Sequence, residues 1–354
     1  MRLGIIGLPQ SGKTTIFNAL TRGDAPTTMS GSRVEVHSAV VAVPDARVER
    51  LSQIFQPEKT TYARVEYADI AGLDGSAGVV GISGQLLNEL SQMDGFLHVV
   101  RCFDDDSVPH QSGSIDAQRD ISAMESELLI NDLIAVESKL ERLADEWKKG
   151  VRDKVAVERD QKIFERFQAA LSEEIPLQLV ELTDEEHKEI GGYGFLTLKP
   201  LLIVLNLGEG QAVPSITQKD QGRAVPLQGK LEMEIAQLPS DEAQVFLAEY
   251  GIEEPSLNRM IRESYELLGL ISFFTVGEDE VRAWTVRNGA TAPEAAGVIH
   301  TDLQKGFIRA ETVSYSDLDN LGSWAAARDG GKLRVEGKTY LVQDGDVIHI
   351  RFNV

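Results

Sequence analysis

A chain of 354 residues, 42% hydrophobic and 26% charged, is long enough for two or three domains, each with a core of its own. A lone cysteine, Cys102, excludes an internal disulfide, and 35 basic against 56 acidic residues, net −21, exclude a protein that coats nucleic acid by bulk electrostatics. There is no amino-terminal apolar leader and no run of about eighteen apolar residues, so the chain reads as soluble and cytoplasmic, with no membrane contact and no DNA partner expected.

In chain order, Arg2–Ile6 is an apolar run that predicts a buried parallel strand, and Thr15–Leu20 has the apolar spacing of a helix opening. Between them, Gly7-Leu8-Pro9-Gln10-Ser11-Gly12-Lys13-Thr14 fits the phosphate-binding pattern G-x-x-x-x-G-K-[ST] without a mismatch. Glycines at 7 and 12 let the backbone turn tightly and bring its N–H groups to the phosphates. Lys13 supplies charge to the β- and γ-phosphates, and Thr14 offers a hydroxyl to Mg2+ at the positive end of the helix.

The polar stretch 21–38 occupies the place of a switch I loop. Strands are predicted over 39–44 and 63–68, with a short amphipathic helix over 47–55 between them. The second strand runs into Asp69-Ile70-Ala71-Gly72, the D-x-x-G element in which Asp69 holds the Mg2+ shell and the Gly72 N–H senses the γ-phosphate. Residues 73–84 have the small, Gly-rich composition of a switch II loop. A further buried strand is predicted over 95–101, and His98 within it reads as a satisfied core histidine. Cys102 reads as a small core residue rather than a nucleophile.

From Ile115 the pattern becomes helical. Leu129, Leu133, Val136, Leu140, Leu143 and Trp147 form one seam, and Lys148-Lys149-Gly150 can close a hairpin. Val151, Val155, Ile163, Phe167 and Leu171 form the seam of a second helix ending before Pro176. Between Asp116 and Glu189 there are 20 acidic and 11 basic residues, so the outer faces are solvated and negative. The expectation is an antiparallel two-helix coiled coil inserted into the nucleotide domain, an arm suited to a partner contact.

The α/β pattern returns with a strand over 199–206, which ends in Asn206-Leu207-Gly208-Glu209. Guanine-reading P-loop proteins carry N-K-x-D here. Leu207 and Glu209 replace the lysine and aspartate, which puts guanine selectivity in doubt. Adenine presents a single amino donor on that edge, which Asn206 and backbone carbonyls could read instead; joined to the family resemblance given next, this favours ATP, with GTP as the alternative. The tail reads as short strands with Gly-Asp turns, a compact α+β module. From Ser272 on it carries 9 basic and 12 acidic residues, so no broad cationic surface announces RNA, and Arg282, Arg287 and Arg309 could at most form a local patch.

The P-loop, Asp69–Leu73, the run Val99–Asp106, the N-x-x-E at 206–209 and Lys230-Leu231-Glu232 together resemble the YchF family, the Obg-like ATPases. The resemblance is densest in the tail, at 273–284, 296–302, 306–310 and 344–348, which is similar to the family's TGS domain. It implies an α/β fold: a P-loop NTPase G domain over 1–112 and 199–271, a coiled-coil helical insertion over 113–198, and a carboxyl-terminal β-grasp, ubiquitin-like TGS domain over 272–354. It further implies nucleotide contacts at Pro9, Gln10, Ser11, Gly12, Lys13, Thr14, Thr15, Phe103, Asn206, Leu207, Glu209, Gln228 and Gly229, and Mg2+ at Thr14 with Asp69 behind it. Lys13 and Gly72 are the implied catalytic groups. Leu73 stands where Ras-type switches carry the water-orienting glutamine, so slow hydrolysis is implied, with His110 or a bound partner as the candidate to position water. K+ is a candidate second cation. The implied macromolecular partner is the ribosome or ribosomal RNA, met through the TGS domain and the arm.

Four departures from the family pattern matter. Arg33 falls at the switch I threonine position, Gln10-Ser11 replaces Asn-Val, switch II lacks part of the family's Gly-rich pattern, and Leu227-Gln228-Gly229 replaces Val-Ser-Ala. Phosphate binding survives these changes, whereas hydrolysis and switching are the functions they touch. Two other readings stand beside a slow ATPase: a nucleotide-binding scaffold that scarcely hydrolyses, and a GTP-selective enzyme.

Overall fold

The computed structural model describes residues 1–23, 36–70, 82, 84–110, 112–250, 252 and 254–353. Its strands are β1 (Arg2–Ile6), β2 (Val36–Ala42), β3 (Lys59–Thr61), β4 (Arg64–Ile70), β5 (Gly95–Arg101), β6 (Leu201–Asn206), β7 (Ala224–Leu227), β8 (Leu270–Thr275), β9 (Glu280–Arg287), β10 (Phe307–Ser314), β11 (Arg334–Glu336) and β12 (Asp346–Phe352). The helices used below are α1 (Lys13–Thr21), α2 (Ala46–Phe55), α3 (Gly84–Ser91), α4 (Ala117–Lys149) and α5 (Lys154–Ser172). The chain divides into two compact units, Met1–Ala39 with Glu66–Leu257, and Val40–Val65 with Asn258–Val354.

The first unit is built on a six-stranded sheet of order β2-β4-β1-β5-β6-β7, parallel from β4 to β7. Its central strands are continuous apolar runs because both faces are covered: every residue of β5 and of β6 is buried. On one face Ile6, Phe96, Val100 and Ile203 pack with Leu86 and Leu90 of α3 and with Ile121, Met124 and Leu128 of α4. The first third of α4 is thus part of the nucleotide domain, and the rest leaves it.

Beyond that root, α4 and α5 form the expected hairpin. Val136 and Leu143 of α4 pack with Val157, Ile163, Phe164, Phe167 and Leu171 of α5. Gly150 ends α4 in the left-handed conformation (φ 63°), and Asp153 caps α5 by accepting from the Ala156 N–H. This turn corrects the second seam. Val151 and Val155 are 73% and 72% exposed, whereas Val157 is fully buried. The cause is the cap: Val151 falls in the connection and Val155 in the outer side of the first turn, so the inward stripe starts two residues later. Asp132 ties the returning chain to α4, accepting from the Leu196 N–H (2.9 Å), the Thr197 N–H (2.7 Å) and the Thr197 hydroxyl (2.6 Å).

The second unit holds a sheet of order β11-β10-β12-β8-β9-β3. β8 and β9 are an antiparallel pair, β12 runs parallel to β8, and β10 is antiparallel to β12, while the helix Ala292–Ile299 covers one face over Phe273, Val286, Phe307 and Ile348. Leaving β3 aside, that is the β-grasp arrangement. The added edge strand revises the boundaries expected from sequence. β3 pairs in parallel with β9 through Lys59↔Glu280 and Thr61↔Arg282, which draws residues 40–65 into the unit of the tail.

Candidate nucleotide site

The P-loop lies at the carboxyl edge of the first sheet, between β1 and α1. Its two motif glycines are required by close packing as well as by phosphate. A Cβ at position 7 would stand 2.4 Å from the Val99 carbonyl oxygen, and one at position 12 would stand 2.2 Å from Asn206 Nδ2. Gly12 also has φ 94° and serves as the N-cap of α1. Gln10 holds a left-handed φ of 62° without being glycine, a strained conformation of the kind found where backbone N–H groups are aimed at a ligand.

Lys13 folds back over the loop, donating to the carbonyls of Gly7 (2.9 Å) and Leu8 (3.0 Å). The Thr14 hydroxyl donates to Asp69 Oδ2 at 2.8 Å, and Asp69 comes from the end of β4, which pairs with β1 at Ile5. Asp69 is 3% exposed, and among the described residues its Oδ1 is buried without a partner. Burial pushes this carboxyl above its ordinary range, while the Thr14 hydroxyl and the Lys13 charge hold it down. A hydroxyl and a buried carboxylate with a spare oxygen fit Mg2+, which binds through one or two protein oxygens and takes phosphate and water for the rest. Among the described residues no group of three or more His, Cys, Asp or Glu gathers around an ion position. Arg33, Gly72 and Leu73 lie outside the described residues.

On the base side, both ends of the Asn206 amide are engaged by protein. Its Nδ2 donates to the Ser11 carbonyl (3.0 Å), and its Oδ1 accepts from the Gly229 N–H (2.9 Å). Asn206 therefore pins the P-loop to the turn at Gln228 and Gly229, a role that sequence pattern does not show. The Leu207 N–H donates to the Leu227 carbonyl (2.8 Å), and the Gly208 N–H to Gln211 Oε1 (2.8 Å). Glu209 is exposed and Phe103 is half-buried. Phe103 stands beside both glycines: its Cε1 would be 3.8 Å from a Cβ at 12, and its Cβ 3.4 Å from one at 208.

His110 is placed differently from a water-positioning group. Its Nδ1 accepts from the Ser112 N–H (3.1 Å), so in the neutral ring Nε2 carries the proton and donates to Asp120 Oδ2 (2.9 Å). The ring ties the 103–116 segment to the first turn of α4 and can orient water only once that pair opens. His98 is buried, as expected, but among the described residues neither ring nitrogen has a partner, and burial together with the Lys13 and Arg223 charges pulls it down to about 3. Cys102 is also buried, and burial pushes its thiol up to about 12, which makes it inert.

This arrangement can be set beside known proteins. Residues 2–139 match the 50S ribosome-binding GTPase family, and residues 270–353 match the YchF-GTPase carboxyl-terminal family, described as a protein of unknown function. The Bacillus subtilis protein named ribosome-binding ATPase YchF is 41% identical over 99% of this chain and 99% of its own length, and the Haemophilus influenzae protein of the same name is 42% identical over 100% and 99%. The chain belongs to the YchF family. A solved Schizosaccharomyces pombe structure, titled a YchF GTPase, superposes with a TM-score of 0.84 at 32% identity, covering 99% of this chain and 97% of that one. The YchF fold class expected from sequence, a P-loop G domain with a helical insertion and a small α+β tail, is the one seen. No helix among the described residues is long and apolar enough to cross a membrane.

Proposed function

We propose that this chain is a slow, Mg2+-dependent P-loop ATPase that associates with ribosomes and changes its contacts with nucleotide state. The observation that carries the reading is the Thr14–Asp69 pair, with Asp69 Oδ1 buried and, among the described residues, unpartnered beside the P-loop lysine. That oxygen needs a cation or a proton, and a Mg2+ shared with a triphosphate meets the need. The names of the bacterial relatives support ATP and the ribosome. Leu207 and Glu209, in place of the lysine and aspartate that read guanine, support adenine from the sequence. The relative titled a GTPase keeps GTP as the second reading. In this proposal the phosphates lie along Pro9 to Thr15, the base lies among Phe103, Leu207, Glu209 and Gln228, and Asn206 acts by holding Ser11 and Gly229 in register.

Single-turnover hydrolysis of ATP and of GTP with Mg2+, with and without K+ and with and without ribosomes, tests the reading. Phosphate release from ATP that rises with ribosomes is the expected result. Tight binding without release under any condition would leave a scaffold, and competition in which GTP beats ATP tenfold would reassign the base.

A further inference from the structure

We infer that Arg101 is a positioning residue for the nucleotide base and acts through the ring of Phe103. The inference rests on the nucleotide-site reading above and adds to it a residue of the Val99–Asp106 run to which the sequence assigns no role. Arg101 is the last residue of β5, in register with Asn206 on β6, and is only 3% exposed. A buried guanidinium is normally matched to a carboxylate, because desolvating an unpaired cation is costly. Asp104, Asp105 and Asp106 follow within five residues, yet all three are exposed; among the described residues none forms a direct ion pair with it, and Asp105 feels its charge only through space. The Asp105 carboxylate instead accepts from the N–H (2.9 Å) and hydroxyl (2.5 Å) of Ser107.

Arg101 is committed to the backbone around Phe103. Its Nε donates to the Phe103 carbonyl (3.1 Å), its Nη2 donates to the Val108 carbonyl (2.7 Å), and its Nη1 is buried without a partner among the described residues. The guanidinium carbon lies over the Phe103 ring, 4.5 Å from the centroid. The two carbonyl bonds fix both ends of the 103–108 turn, and the planar cation backs one face of the ring. That ring stands at the junction of Gly12 and Gly208, where the base of a nucleotide held by the P-loop would arrive. A stability role alone would favour a direct ion pair with one of the three adjacent acids over the longer-range interaction with Asp105. A stacking platform gives a reason to forgo that pair: pairing with those acids would draw the guanidinium away from the ring. The result is a sandwich of guanidinium, phenyl ring and base.

The test separates base from phosphate by measuring Mg2+-dependent binding of ATP and of inorganic tripolyphosphate to the full chain. Wild type is expected to prefer ATP. Arg101→Leu and Phe103→Leu are each expected to lower that preference roughly tenfold, the scale of one lost base–aromatic stack, with tripolyphosphate affinity retained. The double variant is expected to be no worse than either single one, since both act on one platform. In turnover, the loss falls on KM rather than kcat. Arg101→Lys, which keeps the charge but loses the plane and the fork, gives the same direction and serves if the leucine variant fails to fold. Equal loss of ATP and tripolyphosphate binding, or additive effects of the two substitutions, overturns the inference in favour of a purely structural arginine. A wild type that binds ATP no better than tripolyphosphate overturns both the inference and the base site on which it rests.

Discussion

Asp69 concentrates the chemistry of the site in one oxygen. Its Oδ2 is satisfied by Thr14 and its Oδ1 is buried with nothing among the described residues to accept from, an arrangement that is costly unless a cation or proton fills it. Asp69→Asn is therefore expected to abolish most of the Mg2+-dependent gain in nucleotide affinity, by tenfold or more on the scale of about 1.4 kcal/mol per decade, while binding measured in EDTA changes little. Equal losses with and without Mg2+ would show that the carboxylate only supports the loop. His98 makes a separate case. Its folded value of about 3 lies below the ordinary 6.5, so between those limits the unfolded chain binds more protons and stability falls as pH drops through the window. At about 1.4 kcal/mol per unit, the cost approaches roughly 5 kcal/mol at the acid end. His98→Leu removes two unsatisfied buried nitrogens, so it is expected to stabilise the chain at neutral pH by about 1–3 kcal/mol and to flatten the acid limb. Urea unfolding at pH 7 and at pH 5 measures both effects, and a loss of stability at pH 7 would mean that the ring has a partner in solution.

Among the elements, the arm shows where periodicity informs and where it misleads. Leu143 and Val136 were legible as seam positions because α4 is long, and a helical repeat sustained over many turns leaves little freedom of phase. The start of α5 was not legible, because phase there is set by which residue caps the helix. Asp153 rather than Gly150 fixes it, and this turns Val155 outward and Val157 inward. The P-loop was fully legible, since its spacing is dictated by the ligand it must surround. The engagement of Asn206 with Ser11 and Gly229 was not, because both contacts join segments distant in sequence and follow only from strand order. Leu143→Ala is expected to destabilise the arm by about 2–5 kcal/mol through lost burial and a cavity, whereas Val155→Ala stays within about 0.5 kcal/mol. Thermal unfolding of the two variants decides the register of the hairpin; equal effects would return Val155 to the seam.

At the scale of the whole molecule, the organisation is not a simple succession of domains along the chain. β3 is three residues long and pairs with β9 across more than two hundred positions of sequence, so no local pattern could announce it. The segment it belongs to is nonetheless built into the second unit. Val48 and Leu51 of α2 are fully buried, and α2 lies on β9 and on the helix Tyr315–Leu321. Arg47 pairs with Asp344 (2.6 Å) and Arg50 with Asp319 (2.6 Å). Residues 40–65 therefore depend on the tail for their core, and a tail that begins at 272 lacks β3, α2 and nearly all of the helix Ser256–Leu267 of its own unit. A chain ending at Leu257 should strip β3 of its partner, uncover Val48 and Leu51, take Asp319 from Arg50, and leave Arg47 with Asp45 but without Asp344. The expected outcome is increased binding of a hydrophobic dye, self-association on size-exclusion chromatography and rapid trypsin cleavage after Arg47 and Arg50, all absent from the full chain. Were the residues 40–65 instead an independent part of the nucleotide domain, the shortened chain would stay monomeric and resist cleavage at both arginines, so the protease pattern alone separates the two architectures.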